Sequence, residues 1–129
     1  MPSINSGIGV ESNLLNLKAI DFKDIRNEVG ELLIGEETII AAFKTIRDQV
    51  IFTNKRIFII NVQGITGKKT SYFSYPYSKI QYYAIETAGV FDIDSELLVA
   101  FSNGRTLHFD FKAKVDIRRI CQAISQYIL

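Results

Sequence analysis

From Thr38 to Phe111 the chain is cut into short pieces, and that punctuation limits what it can become. The segments "TIIAAFKTI", "QVIFT", "RIFIINV", "KTSYFSY", "KIQYYAIET", "LLVAFSN" and "RTLHFDF" are each rich in Ile, Val, Phe, Tyr and Thr. Such side chains suit a pleated, half-buried surface. Between them stand Arg47-Asp48-Gln49, Asn54-Lys55, Gly64 to Gly67, Tyr75-Pro76, Asp92 to Ser95 and Asn103-Gly104. These breaks predict about seven strands in succession, paired antiparallel. Asn103-Gly104 is the sharpest, because a two-residue type I′ turn needs positive φ at both positions. The last segment alternates, with Leu107, Phe109 and Phe111 on one face and His108 and Asp110 on the other, so one side of it is expected to be core.

The flanks follow a different period. Leu14, Leu15, Phe22, Ile25, Val29, Leu32 and Leu33 share one side of a helical wheel, which predicts an amphipathic helical segment over 13–34. Ser12 or Asn13 can cap its start and Gly35 can close its end. Its polar face is acidic, so it is expected to pack on the domain or on a neighbour, not on an anionic membrane. Ile117, Ile120, Cys121, Ile124 and Ile128 repeat at helical spacing and predict a terminal helix. The domain organisation is then a flexible leader at 1–12, the helical segment at 13–34, and one barrel with its helix at 35–129. A strongly bent sheet or open barrel capped by the last helix satisfies this order of elements.

Totals narrow the function. The net charge is +1, against the strongly basic footprint of a nucleic-acid binder, so no nucleic acid is expected. The total hides an asymmetry: residues 1–37 carry seven acids and three bases, while 38–129 carry seven acids and twelve bases. One cysteine makes no intramolecular disulfide, and no apolar run reaches the roughly 18 residues of a membrane span. No secretory signal is visible at the start, which reads as a cytoplasmic protein, if anything peripheral to a membrane.

Residues 53–80, "TNKRIFIINVQGITGKKTSYFSYPYSKI", resemble the signature region of the small bacterial pleckstrin-homology (PH)-like domain family. The likeness runs from Gly35-Glu36-Glu37 to the terminal helix, over about residues 30–129. It implies a PH-like open β-barrel of about seven antiparallel strands with a C-terminal α-helix, here with an extra N-terminal helix. It also implies a noncatalytic module that readily forms closed rings. Eukaryotic members that hold inositol phosphates have a basic, extended loop between their first two strands and usually a Trp in the last helix. Here the link Lys44 to Gln49 is short and contains Asp48, and the chain has no Trp.

Two surfaces attract attention. Lys55, Arg56, Lys68, Lys69 and Lys79 occur with no carboxylate between Asp48 and Glu86. Gathered on one hairpin rim, Lys55, Arg56, Lys68 and Lys69 would draw anionic lipid or phosphate head groups at about 1 kcal/mol per residue; spread over both ends of their shared strand, they would only solvate two turns. The next segment is acidic. Such segregation suits a head-to-tail contact between copies, with Tyr82, Tyr83, Ile85, Glu86, Asp92 and Asp94 as the expected interface. "KIQYYAIETAGVF" is apolar on both faces, Ile80, Tyr82 and Ala84 on one and Tyr83 and Ile85 on the other, and needs cover on both. The expected partners are therefore further copies of the chain or another protein, with anionic lipid as the alternative.

No chemistry stands out. Asp92-Ile93-Asp94 lacks the glycine and terminal glutamate of an EF-hand loop, and Gly64 to Lys69 lacks phosphate-loop spacing. His108 on a polar strand face and Cys121 on an apolar helix face are expected to be structural. The expectation is a protein that is not an enzyme, with no catalytic residues, no metal and no cofactor.

Overall fold

Seven of the eight strands are the segments that the turn residues delimit. The structure is a computed structural model, which describes residues 11–87, 95–112 and 115–129. The strands are β1 (Glu11–Ala19), β2 (Ile39–Lys44), β3 (Gln49–Thr53), β4 (Arg56–Gln63), β5 (Lys69–Pro76), β6 (Ile80–Thr87), β7 (Ser95–Phe101) and β8 (Thr106–Phe111). Two α-helices accompany them, α1 (Asn27–Leu32) and α2 (Ile117–Ile128). Hydrogen bonds order the strands β5-β4-β3-β2-β1-β8-β7-β6 in one sheet that curls into a half-barrel.

The N-terminal segment departs from the expected helix over 13–34. Its first part is the eighth strand, and its helical part shrinks to a 3-10 turn at Phe22–Asp24 and the six residues of α1. β1 fills the gap between β2 and β8. It runs parallel to β8, with Leu14 opposite Phe109 and Leu17 opposite Phe111, and then antiparallel to β2, with Lys18 opposite Lys44 and Ala19 opposite Phe43. Between Leu14 and Leu17 the register shifts, and Asn16 there has a φ of +57°. Asn tolerates this left-handed conformation better than most residues. The bulge brings Leu14 and fully buried Leu17 onto the core although they are three residues apart. A spacing of three reads as helical, but the unpaired edges of β2 and β8 decide the outcome.

The core lies inside the curl. Phe43, Phe52, Phe109 and Phe111 meet at its centre, with ring centroids 4.7 Å apart for Phe43–Phe111 and 5.3 Å for Phe52–Phe109. Helix α2 closes this core with Ile117, Ile120, Cys121 and Ile124, and the Asp116 carboxylate caps it by accepting from the Arg119 amide at 3.3 Å. A second cluster lies on the outer face of the sheet. There Ile25 and Val29 cover Ala42, Ile51, Phe58 and Ile60, so β3 and β4 are buried on both sides.

Two local expectations change. Asn103-Gly104 turns the β7–β8 hairpin, but only Gly104 has positive φ, at +88°. The Gly104 amide bonds to the Phe101 carbonyl at 3.0 Å and the Phe101 amide to the Arg105 carbonyl at 2.9 Å. That is a three-residue loop with glycine in the left-handed position, in place of the two-residue type I′ turn. Asn103 instead uses its side chain, whose oxygen accepts from the Arg105 amide at 3.0 Å. In β6 the register shifts between Ile80 and Tyr82, which turns Ile80 inward, 4% exposed, away from the face of Tyr82 and Ala84.

Candidate functional site

β4 separates the basic residues that the sequence places close together. Arg56 opens the strand opposite Pro76, and Gln63 ends it opposite Lys69. Seven steps of about 3.3 Å put the two ends roughly 23 Å apart. Lys55 and Arg56 therefore do not join Lys68 and Lys69 in one rim. Arg56 is also engaged. Its guanidinium meets Glu37 at 2.8 and 2.9 Å, donates to the Leu32 carbonyl and to Ser74 Oγ, and lies 4.3 Å over the Phe58 ring. Glu37 is buried and also accepts from Thr53 Oγ1 at 2.7 Å and the Ile34 amide at 3.1 Å. Burial pushes its carboxyl up, but these donors outweigh it and hold the group below the ordinary carboxylate value. Buried Tyr77 extends this knot, its hydroxyl donating to the Thr53 carbonyl at 2.6 Å. Lys55 reaches Tyr127 of α2 at 3.4 Å, and Lys79 is exposed on the 3-10 turn after β5.

The opposite end of the half-barrel is different. Lys18 and Lys44 stand directly across from each other, and Lys112 follows β8 beside them. With Leu15, Asn16, Thr45 and Ile46 they line a cleft of about 510 Å³. Like charges directly opposite on two strands repel, and among the described residues neither Lys18 nor Lys44 has an acidic partner. Lys112 lies 3.7 Å from Asp110. The neighbouring loops are fastened together: Arg47 donates to the Gly64 carbonyl, and Asp48 accepts from the Val62 amide at 2.9 Å. At their tips Ile46 and Ile65 are fully exposed, at 101% and 104%. Lys68 and Lys69 lie exposed on this side. Sequence reading missed Lys18 and Lys112 because nothing local tells that β1 and the end of β8 converge on Lys44.

A third surface is the outer face of β6, β7 and β8. Cross-strand register aligns Tyr82 with Ala100 and Thr106, Ala84 with Leu98 and His108, and Glu86 with Glu96 and Asp110. Tyr82 is 51% exposed, and Ala84, Glu86 and Glu96 are exposed. Of the expected interface residues, Tyr82 and Glu86 face outward here. Tyr83 and Ile85 face inward: the Tyr83 hydroxyl meets Ser125 Oγ of α2 at 3.0 Å, and Ile85 packs on the core. Helix α2 thus covers the inner side of β6, which the sequence left open. Asp92 and Asp94 lie outside the described residues.

The comparisons with known proteins agree with this architecture. Residues 9–128 match the bacterial PH domain family. The chain belongs to this family. An uncharacterized Bacillus subtilis protein, YjqA, is 41% identical over 93 residues, covering 72% of this chain and 74% of its own. A second, YozO, is 32% identical over 97 residues, covering 75% and 83%. Among solved structures, a PH-domain protein from Shewanella loihica superposes with a TM-score of 0.71 at 36% identity, covering 89% of this chain and 99% of its own. In this bacterial PH domain His108 and Cys121 lie on opposite sides of the sheet. His108 alternates with the core residues Leu107 and Phe109, whereas Cys121 is buried on the core-facing side of α2 with its thiol pushed up to about 12 by burial. Among the described residues no group of His, Cys, Asp or Glu is placed to hold a metal ion, and no helix is long and apolar enough to cross a membrane.

Proposed function

We propose that this bacterial PH domain is a noncatalytic interaction module that assembles with copies of itself through the outer face of β6 and its outer edge, which no other described strand pairs. The observation that carries the reading is the unequal cover of one sheet. The outer face of β3 and β4 is covered by the chain's own Ile25 and Val29, whereas the outer face of β6 and β7 presents Tyr82, Ala84 and part of Leu98. The two terminal strands of the sheet also differ in charge. β5 begins at Lys69 and has no carboxylate, while β6 carries Glu86 opposite Glu96. A free edge invites strand addition, and opposite charges favour β5 of one copy meeting β6 of the next. Such a head-to-tail contact closes into a ring when its rotation permits.

The test is the mass of the full-length chain by light scattering on a sizing column, over a tenfold dilution and at low and high salt. The expected result is a stable multiple of 14.6 kDa that survives salt and falls to the monomer in Tyr82→Asp. A monomer under every condition overturns the reading.

A further inference from the structure

We infer that β1 is an exchangeable strand: it leaves the slot between β2 and β8, and the slot then takes β1 of a second copy of the chain. Among the described strands, β1 alone hydrogen-bonds the β2–β5 half of the sheet to the β6–β8 half. Its hold is uneven. Along β8 it pairs from Glu11 to Leu14 and again at Leu17, but along β2 only Lys18 and Ala19 pair. One of those pairs sets Lys18 against Lys44, and like charges directly opposite weaken a pairing. The Asn16 bulge interrupts the strand just before this point, and the cleft of about 510 Å³ leaves Leu15, Asn16 and Lys18 open on one side. Leu17 is buried and Leu14 partly so, whereas Asn13, Leu15, Asn16, Lys18 and Ala19 are exposed. Release of β1 thus withdraws few side chains from the core.

The rest of the fold has its own anchors. After β1 the chain is fixed again by Ile25 and Val29 on the outer face of β3 and β4, and α2 touches both β2 and β6, so the two halves of the sheet stay bridged. The vacated slot presents two strand edges, which recruit strands. It is also selective. It needs two inward leucines three positions apart, a spacing that a regular strand points to opposite faces, so only a segment with this bulge closes it. β1 of another copy meets that need residue for residue. Exchange therefore restores every native contact and is favoured by concentration, as in other swaps of an identical element. It goes beyond the β6 contact and does not depend on it.

The experiment mixes two full-length chains, one with Asn13→Cys and the other with His108→Cys, in a glutathione redox buffer. Asn13 and His108 are paired across β1 and β8, so the two thiols are held together only when β1 of one chain lies in the slot of the other. Both chains also carry Tyr82→Asp, which removes the β6 contact, so failure of that assembly leaves this result intact. Lys79→Cys in place of His108→Cys, at an exposed position, measures random collision. The expected disulfide-linked dimer exceeds this control at least about tenfold, because the paired site raises the effective thiol concentration. Lys18→Glu, which gives Lys44 an opposite charge, is expected to slow its formation about fivefold. Circular dichroism verifies the fold of each variant. A second measurement needs no cysteine: a fluorescent peptide of residues 11–20 is expected to be taken up by the unmodified chain, and its Leu17→Asp form is not. Dimer at the control level overturns the inference, as does a parent-like rate in Lys18→Glu. Equal uptake of the two peptides overturns it as well. Uptake of the peptide without cross-linking of the chains would assign the slot to a free extended peptide and equally overturn it.

Discussion

The Glu37–Arg56 pair gives a prediction whose sign depends on burial. The Glu37 side chain is fully buried, while Arg56 keeps 20% of its side chain exposed. Removing the arginine therefore strands a charge that water cannot reach, and removing the glutamate leaves one that it can. Breaking a buried pair by deleting one partner costs about 3–5 kcal/mol. Arg56→Met should fall at the low end, about 3 kcal/mol, because Thr53 and the Ile34 amide still donate to Glu37. Glu37→Gln should cost only about 1–2 kcal/mol, the scale of lost charge-assisted bonds. In the Arg56→Met background the order reverses: Glu37→Gln removes the stranded anion and should restore about 1 kcal/mol or more.

Urea denaturation followed by circular dichroism reads these differences. At a slope of about 2 kcal/mol per M, Arg56→Met should lower the midpoint by roughly 1.5 M. The pH dependence follows from the depressed Glu37 carboxyl. Below the ordinary value of 4.5 the unfolded chain binds this proton before the folded one does. The contribution is thus complete above that range and is lost as pH falls through the folded value. Glu37→Gln should flatten this acid limb. A loss in Glu37→Gln as large as in Arg56→Met, or no recovery in the double variant, would refute the assignment of Glu37 as the buried partner.

Three further outcomes follow from local geometry. Leu17→Ala should cost about 2–5 kcal/mol in urea unfolding, since Leu17 is fully buried, whereas Leu15→Ala at 58% exposure should stay within about 0.5 kcal/mol. Equal effects would favour a helix over β1. Gly104→Ala should lose about 1 kcal/mol or more, because φ is +88° although nothing lies within 4 Å of an added Cβ; Gly30→Ala in α1, equally uncrowded, should gain up to about 1 kcal/mol, both read as shifts in thermal midpoint. The Cys121 thiol, raised to about 12 by burial, should react with a disulfide reagent only as fast as the protein opens, and at full rate in urea. Rapid labelling of the native protein would contradict its place on the core-facing side of α2.

What the sequence determined by itself is whatever local chemistry carries. The seven segments after Thr38 became strands because branched and aromatic residues alternate between turn residues, and that requires only neighbours along the chain. The amphipathic spacing of Ile117, Ile120, Cys121 and Ile124 likewise specified α2. The family could be read from residues 53–80 for the same reason. Tertiary pairing decided the rest. β1 is a strand because β2 and β8 left it two edges to satisfy, and its bulge at Asn16 disguises strand spacing as helical spacing. Pairing of β4 with β5 sent Lys55 and Arg56 to one end and Lys68 and Lys69 to the other. Pairing also brought Lys18 to Lys44 from 26 positions away, and Glu37 to Arg56 from 19. A period along the chain records which face a residue takes, but not which distant residue will share it.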